Sequence, residues 1–253
     1  MSRRERIRGE IRDEIKAIAR EQMAEQGTAS LSLTAIARRM ELTPPALYRY
    51  YPDRDALITA LIIDAFDALA VALATAAASQ PTERYAERLE AVLLAYRAWA
   101  RANPFDFQLI YGNPIPGYHA PIELTVPAVR RGAAVIMGVV QAAYTAGELH
   151  LPEDLPALAD SVELRASPES GMGAEVTSPL VTYVCMTGWA HIHGIIMLEL
   201  FNHLQPTIGN IDAFYHQEIR VLMQRMGLQP SAEAPMHHGR DAPEACPPHP
   251  CTR

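Results

Sequence analysis

LTPPALYRYYPDRDAL, residues 42–57, sets two adjacent prolines directly before an aromatic-rich segment with helical spacing. The first four N–H groups of a helix have no intrahelical acceptor. Proline therefore costs little there, and its fixed φ suits the first turn. With Thr43 as N-cap, Pro44 and Pro45 take the first two helical positions. Pro52 biases its predecessor away from helical geometry, so the helix ends near Tyr51. About two turns remain, too few to be stable alone. Packing against the preceding segment has to hold them.

That preceding segment has the matching pattern. Ser32 can cap a short helix whose apolar face is Leu33, Ile36, Ala37 and Met40. A capped short helix, a tight turn and a second short helix make a helix-turn-helix, whose second helix enters the DNA major groove N-terminus first. Leu47 and Tyr51, four apart, then face inward. Thr43, Pro44, Pro45, Ala46 and Arg49 face outward. The prolines and Ala46 offer apolar contact to thymine methyls, and Arg49 can fork onto guanine. Tyr48 and Tyr50 carry hydroxyls that can donate to phosphates, and Arg54 adds charge at the exit. The competing reading is a buried aromatic cluster in some other small helical domain.

Charge separates the two. The chain has 253 residues and a net charge of −7, which by itself argues against nucleic acid. Residues 1–54 hold eleven Lys/Arg against eight Asp/Glu, a net of +3, and the remainder holds eleven against twenty-one, a net of −10. A basic N-terminal segment on an acidic body suggests that only the N-terminus meets a polyanion. Three cysteines, Cys185, Cys246 and Cys251, are too few for a disulfide scaffold and fit no zinc spacing. A reducing cytoplasm is the simplest setting. The N-terminus has no apolar signal segment, and the longest apolar run, Ala68 to Ala78, is short for a membrane span. No membrane partner is expected.

Helical periodicity continues almost throughout, which predicts an all-α protein. A first helix carries Ile7, Ile11, Ile15 and Ile18 and ends at Gly27. A long helix covers Asp55 to about Ala78. Thr82 can cap a helix to Asn103, and Pro104 opens a short one ending near Gly112. Thr125 and Pro127 start another, to about Gly147. Residues 149–177 read as a long connection with one helical turn near Leu155 to Ser161. Ser178 caps a helix that is apolar on almost every side, which implies burial between several neighbours. Asn210 caps a last helix to Gly227. The expected domains are a helix-turn-helix unit at 1–54, a helical ligand-binding and dimerisation unit at 55–228, and a disordered tail at 229–253.

The run LTAIARRMELTPPALYRYYPDRDALITAL, from Leu33, resembles the N-terminal DNA-binding domain of TetR-family transcriptional regulators. The shared features are Ile36-Ala37, Leu47-Tyr48, Tyr51, Arg54 and Leu57, within about residues 5–66. The resemblance implies phosphate contacts from Thr34, Tyr48, Tyr50 and Arg54, and base contacts from Pro44, Pro45, Ala46 and Arg49. Arg54 stands where lysine is common; either can meet a phosphate. GWAHIHGIIMLELFNHL and YGNPIPGY resemble the subgroup whose C-terminal domain carries a Trp…His-Gly motif, here Trp189, His193 and Gly194. The family implies a homodimer on a palindromic operator, with the last two helices as the dimer bundle. It also implies a repressor released by a small-molecule inducer. One short recognition helix reads few base pairs, and two-fold symmetry doubles the site.

Trp99, Phe107, Tyr111, Met137, Tyr144, Met186, Trp189 and His193 are the candidate ligand-binding residues. Each taken alone reads more readily as plain core, and together they read as a pocket. Glu199 and His203, four apart, share a helix face, and the runner-up function is an all-helical small-molecule-binding protein or enzyme using them. No third ligand stands at helical spacing, so no metal and no cofactor is expected. His237, His238, Cys246, His249 and Cys251 in the tail could bind a soft metal. A third reading, an architectural protein without sequence preference, fits poorly with so small a basic excess.

Overall fold

The computed structural model describes residues 2–27, 30–163 and 178–229. Among them are ten helices and no strand: α1 Arg3–Gln26, α2 Leu33–Arg39, α3 Pro44–Tyr48, α4 Arg54–Ala78, α5 Tyr85–Ala102, α6 Pro104–Tyr111, α7 Ile122–Thr145, α8 Leu155–Asp160, α9 Pro179–Leu200 and α10 Ile211–Arg225. The protein is all-α. The expected disordered tail, with its histidines and cysteines, lies outside the described residues beyond Gln229. So does residues 164–177, the proline- and glycine-broken part of the connection before α9.

Side-chain caps mark most of the expected starts. Ser32 accepts from the Ala35 N–H at 3.3 Å, Asp53 from Ala56 at 2.7 Å, Ser178 from Val181 at 3.2 Å and Asn210 from Ala213 at 2.9 Å. Three boundaries differ from expectation. α3 stops at Tyr48 rather than near Tyr51, because the Tyr50 N–H turns tightly onto the Leu47 carbonyl at 2.8 Å. Thr82 does not cap α5; the Arg84 N–H closes a turn on the Pro81 carbonyl, and the helix begins at Tyr85. α7 begins at Ile122, so Pro127 lies inside it, where it forgoes one intrahelical bond.

Two apolar cores form. The first gathers Ile15, Ala19 and Met23 of α1, Ile36 and Ala37 of α2, Leu47 of α3, and Leu57, Ile58 and Leu61 of α4. The second fills the body between α4, α5, α7, α9 and α10, around Leu69, Leu73, Val92, Tyr96, Phe107, Val140, Ile192 and Tyr215. α4 serves both, so residue 54 falls at the mouth of a shared helix. α4 and α9 are each apolar and long enough to cross a membrane by composition alone. α4 turns that apolarity inward: Leu57, Ile58, Leu61, Ala65, Leu69 and Leu73 are all buried.

The body core also holds ions. Arg97 of α5 grips Glu199 of α9 through two bonds of 2.6 and 2.8 Å, and reaches Asp212 of α10 at 2.7 Å. Its guanidinium lies 4.9 Å from the centre of the Tyr215 ring. Glu199, singled out with His203, is thus a buried structural anion, while His203 is exposed.

α9 departs from the expected all-round burial. Val181, Val184, Ile192 and Ile196 face the core, but Met186, Ala190, Leu198 and Phe201 are exposed.

Candidate nucleic-acid interface and ligand cavity

The prolines determine what the tip of α3 shows. An N-cap hydroxyl ordinarily accepts from the second or third helical N–H. Pro45 has none, and the Ala46 N–H bonds the Thr43 carbonyl at 2.9 Å. The Thr43 side chain therefore makes no capping bond and stands exposed beside Pro44 and Pro45. Leu47 is fully buried and Tyr51 nearly so, which locks α3 against α2 and α4. Tyr48 and Arg49 are exposed; Ala46, Tyr50 and Arg54 are half-buried. Thr34 is exposed on α2, and so is Arg38 one turn later on the same face. Arg38 is not among the residues expected at the interface, although its spacing from Thr34 marks it. All nine sequence-identified residues reach the surface of this one unit.

The turn between α2 and α3 is a Schellman motif. The Leu42 N–H bonds the Ala37 carbonyl at 2.9 Å and the Glu41 N–H bonds Arg38 at 3.2 Å. Glu41 takes φ +56°, the left-handed conformation that this motif requires.

Ion pairs tie the unit to the body. Lys16 of α1 meets Asp64 of α4 at 2.7 Å, and Arg20 of α1 meets Asp106 of α6 at 2.9 Å.

Farther along α4 the helices part around a cavity of about 230 Å³. Phe66, Leu69 and Leu73 of α4 form one wall, and Val129, Gly132, Ala133, Ile136 and Met137 of α7 form another. Tyr96, Tyr111, Cys185, Met186 and Trp189 complete it. Of the candidate ligand residues, Tyr111, Met137, Met186 and Trp189 line the space. Phe107 and His193 stand behind them, stacked at 5.4 Å between ring centroids, and Trp99 is a further layer out against Phe107. Tyr144 is 39% exposed and lies outside the lining. Phe66, Tyr96 and the α7 wall residues other than Met137 are not among those expected from the sequence, since nothing in periodicity tells an inward residue at a void from one in contact. Gly132 and Ala133 were the available hint, small residues facing α4.

The exposed lining is almost wholly apolar, and its few polar atoms gather at one end. The Tyr96 hydroxyl lies 2.7 Å from His193 Nδ1 and accepts from Trp189 Nε1 at 3.4 Å. Burial pushes the Tyr96 and Tyr111 hydroxyls above the usual tyrosine range and holds His193 below the usual imidazole range. All three therefore stand neutral. Burial likewise pushes the Cys185 thiol up to about 12, so it is an unreactive wall group.

Comparison with known proteins agrees with this geometry. Residues 15–61 match the bacterial regulatory proteins of the tetR family, and residues 89–222 match the tetracyclin repressor-like C-terminal domain. The HTH-type transcriptional regulator Rv1816 of Mycobacterium tuberculosis is 32% identical over 204 residues, 79% of this chain and 85% of that protein. The solved structure of the protein SCO4313 superposes with a TM-score of 0.72 at 33% identity, covering 88% of this chain and all of the other. A protein from Rhodococcus sp. RHA1, 22% identical with a TM-score of 0.65 over 85% of this chain and 95% of its own, shares the fold. The matched families and the Mycobacterium relative are transcriptional regulators rather than enzymes, which removes the catalytic reading of Glu199 and His203. The first family match covers the helix-turn-helix, and the second covers most of the cavity-bearing body. The chain belongs to the TetR family of transcriptional regulators.

Proposed function

We propose that the protein is a cytoplasmic repressor that binds a palindromic operator as a homodimer and leaves it when a small molecule enters the cavity. One observation carries this reading. α4 is unbroken from Leu57, in the core of the DNA-binding unit, to Leu73, in the cavity wall. Sixteen residues of helix span about 24 Å at 1.5 Å each. A ligand that displaces one end of such a rod has to tilt the other. α6 adds a second linkage, since Tyr111 lines the cavity and Asp106 on the same helix holds Arg20 of α1. The DNA affinity lost equals the difference in ligand affinity between the two states.

The dimer rests on α9. Thr187, Ala190, Leu198 and Phe201 are exposed at spacings of three, eight and three, one face of the helix. A Cβ built on Gly194, on the same face, would meet nothing within 4 Å. A second copy would cover this face. Two recognition helices related by a two-fold axis then meet two half-sites.

The test is to incubate the purified chain with fragmented genomic DNA of its source, recover what binds, and sequence it. The expected result is a small set of sites sharing one palindrome. Even recovery of all fragments would replace this reading with a non-specific DNA binder.

A further inference from the structure

The cavity wall carries no carboxylate, ammonium, guanidinium or imidazole among the described residues. Its only titratable groups are two tyrosine hydroxyls and one thiol, all held neutral by burial. The guanidinium next along α5, Arg97, is already bound by Glu199 and Asp212. An ion entering this space would lose its water and meet no counter-charge. The acidic charge of the body as a whole would have suggested a cationic ligand. The lining does not.

The polar groups sit together. Tyr96 and Trp189 both face the space and are joined to each other and to His193. The Tyr111 hydroxyl interacts with that of Tyr96. A hydroxyl is the neutral group best able to extend such a chain, because it donates and accepts. A carbonyl only accepts. Size sets the rest: 230 Å³ at about 30 Å³ for each water-sized group leaves room for roughly eight heavy atoms.

We infer that the cavity takes a small uncharged amphiphile of roughly eight heavy atoms, a hydrocarbon body bearing one hydroxyl that docks at the Tyr96–Tyr111 end. This rests on the cavity being the sensor site of the proposed repressor.

Three probes share one chain and differ in the head group: 1-octanol, octanoate and octylammonium. Each is titrated into the full chain by calorimetry, with tryptophan fluorescence in parallel, since Trp189 lines the cavity. Saturable octanol binding is expected at one site per chain, with both ions about 100-fold weaker or worse. Tyr111→Phe should weaken octanol about 10-fold. Ala133→Phe, which fills the space, should abolish binding at unchanged secondary structure. Met137→Trp serves the same purpose if Ala133→Phe fails to fold. Octanoate or octylammonium binding as tightly as octanol overturns the inference. So does octanol binding that survives a filled cavity, or no saturable octanol binding up to its solubility. Release of operator DNA is read separately. Octanol that saturates the cavity without freeing DNA upholds the ligand class and defeats the release mechanism.

Discussion

α3 and α9 leave opposite things on the surface. α3 hides Leu47 completely and shows water a hydroxyl, two prolines, a phenol and a guanidinium. α9 hides Val181, Ile192 and Ile196 and shows Ala190, Leu198 and Phe201. Both helices look too apolar or too aromatic for a surface when read as strings. The outward face decides the meaning in each case. A polar, hydrogen-bonding tip on a basic unit can stay wet until DNA arrives. An outward face of Ala190, Leu198 and Phe201 has no such polar partner waiting, and a second copy is the cover proposed for it.

The strongest way to break this contrast is to make α9's outer face polar. Leu198→Glu should leave the monomer fold intact, since Leu198 is 44% exposed in a single chain. It should turn the proposed dimer into a monomer and cut operator affinity by about 100-fold or more, because half of the contacts are lost. Sedimentation equilibrium and an operator titration read the two effects. A variant that stays dimeric would move the interface elsewhere.

A second test asks what holds α9 at the correct angle. Arg97→Met leaves Glu199 buried without its main partner, and should cost about 3–5 kcal/mol in urea unfolding. Arg101, which approaches the same two carboxylates from a half-exposed position, provides the control. Arg101→Ala should cost about 1 kcal/mol or less. Equal losses would mean that water reaches Arg97 as freely as it reaches Arg101.

The contrast can be sharpened at α3 by separating positioning from reading. Arg49→Ala should reduce the preference for one base pair by about 1–3 kcal/mol while leaving binding to random DNA little changed. Tyr48→Phe removes a hydroxyl offered to phosphate and should weaken all sequences alike, by about 1 kcal/mol. Equal losses on operator and random DNA for Arg49→Ala would make Arg49 a phosphate contact.

The two regions also differ in how far the sequence revealed them. The helix-turn-helix is built from local rules, caps at Ser32 and Asp53, prolines at the first two positions of α3, and inward residues four apart. Each leaves a mark on a few neighbouring letters. The cavity is made by five helices drawn from positions 66 to 189, and a void depends on what fails to touch. Leu69 and Leu73 follow the same periodicity whether they meet a side chain or empty space. Tyr144 sits on the same helix as Met137 and has an aromatic ring, yet its face of α7 points outward. The pairing of Arg97 with Glu199 across 102 positions had no local signal at all.

The smallest effect concerns one backbone angle. Four helices end in the same two-bond motif. The Leu42, Glu148, His203 and Leu228 N–H groups reach back to Ala37, Ala143, Leu198 and Met223. The residue before each of these four donors has positive φ: Gly147 at +76°, Gly227 at +64°, Asn202 at +58° and Glu41 at +56°. Glycine and asparagine enter that region at little cost, whereas a glutamate loses about 1–2 kcal/mol. Glycine would recover this but sacrifice about 0.5–1 kcal/mol of chain entropy. Glu41→Gly should therefore stabilise the chain by roughly 0.5–1 kcal/mol in urea unfolding. Gly147→Ala is the mirror experiment. A Cβ there would meet nothing within 4 Å, so only the dihedral strain is added and stability should fall by a similar amount. If Glu41→Gly destabilises while Gly147→Ala behaves as expected, the Glu41 side chain makes a contact worth more than the strain it imposes. The turn that aims α3 would then be fixed by that side chain rather than by the backbone alone.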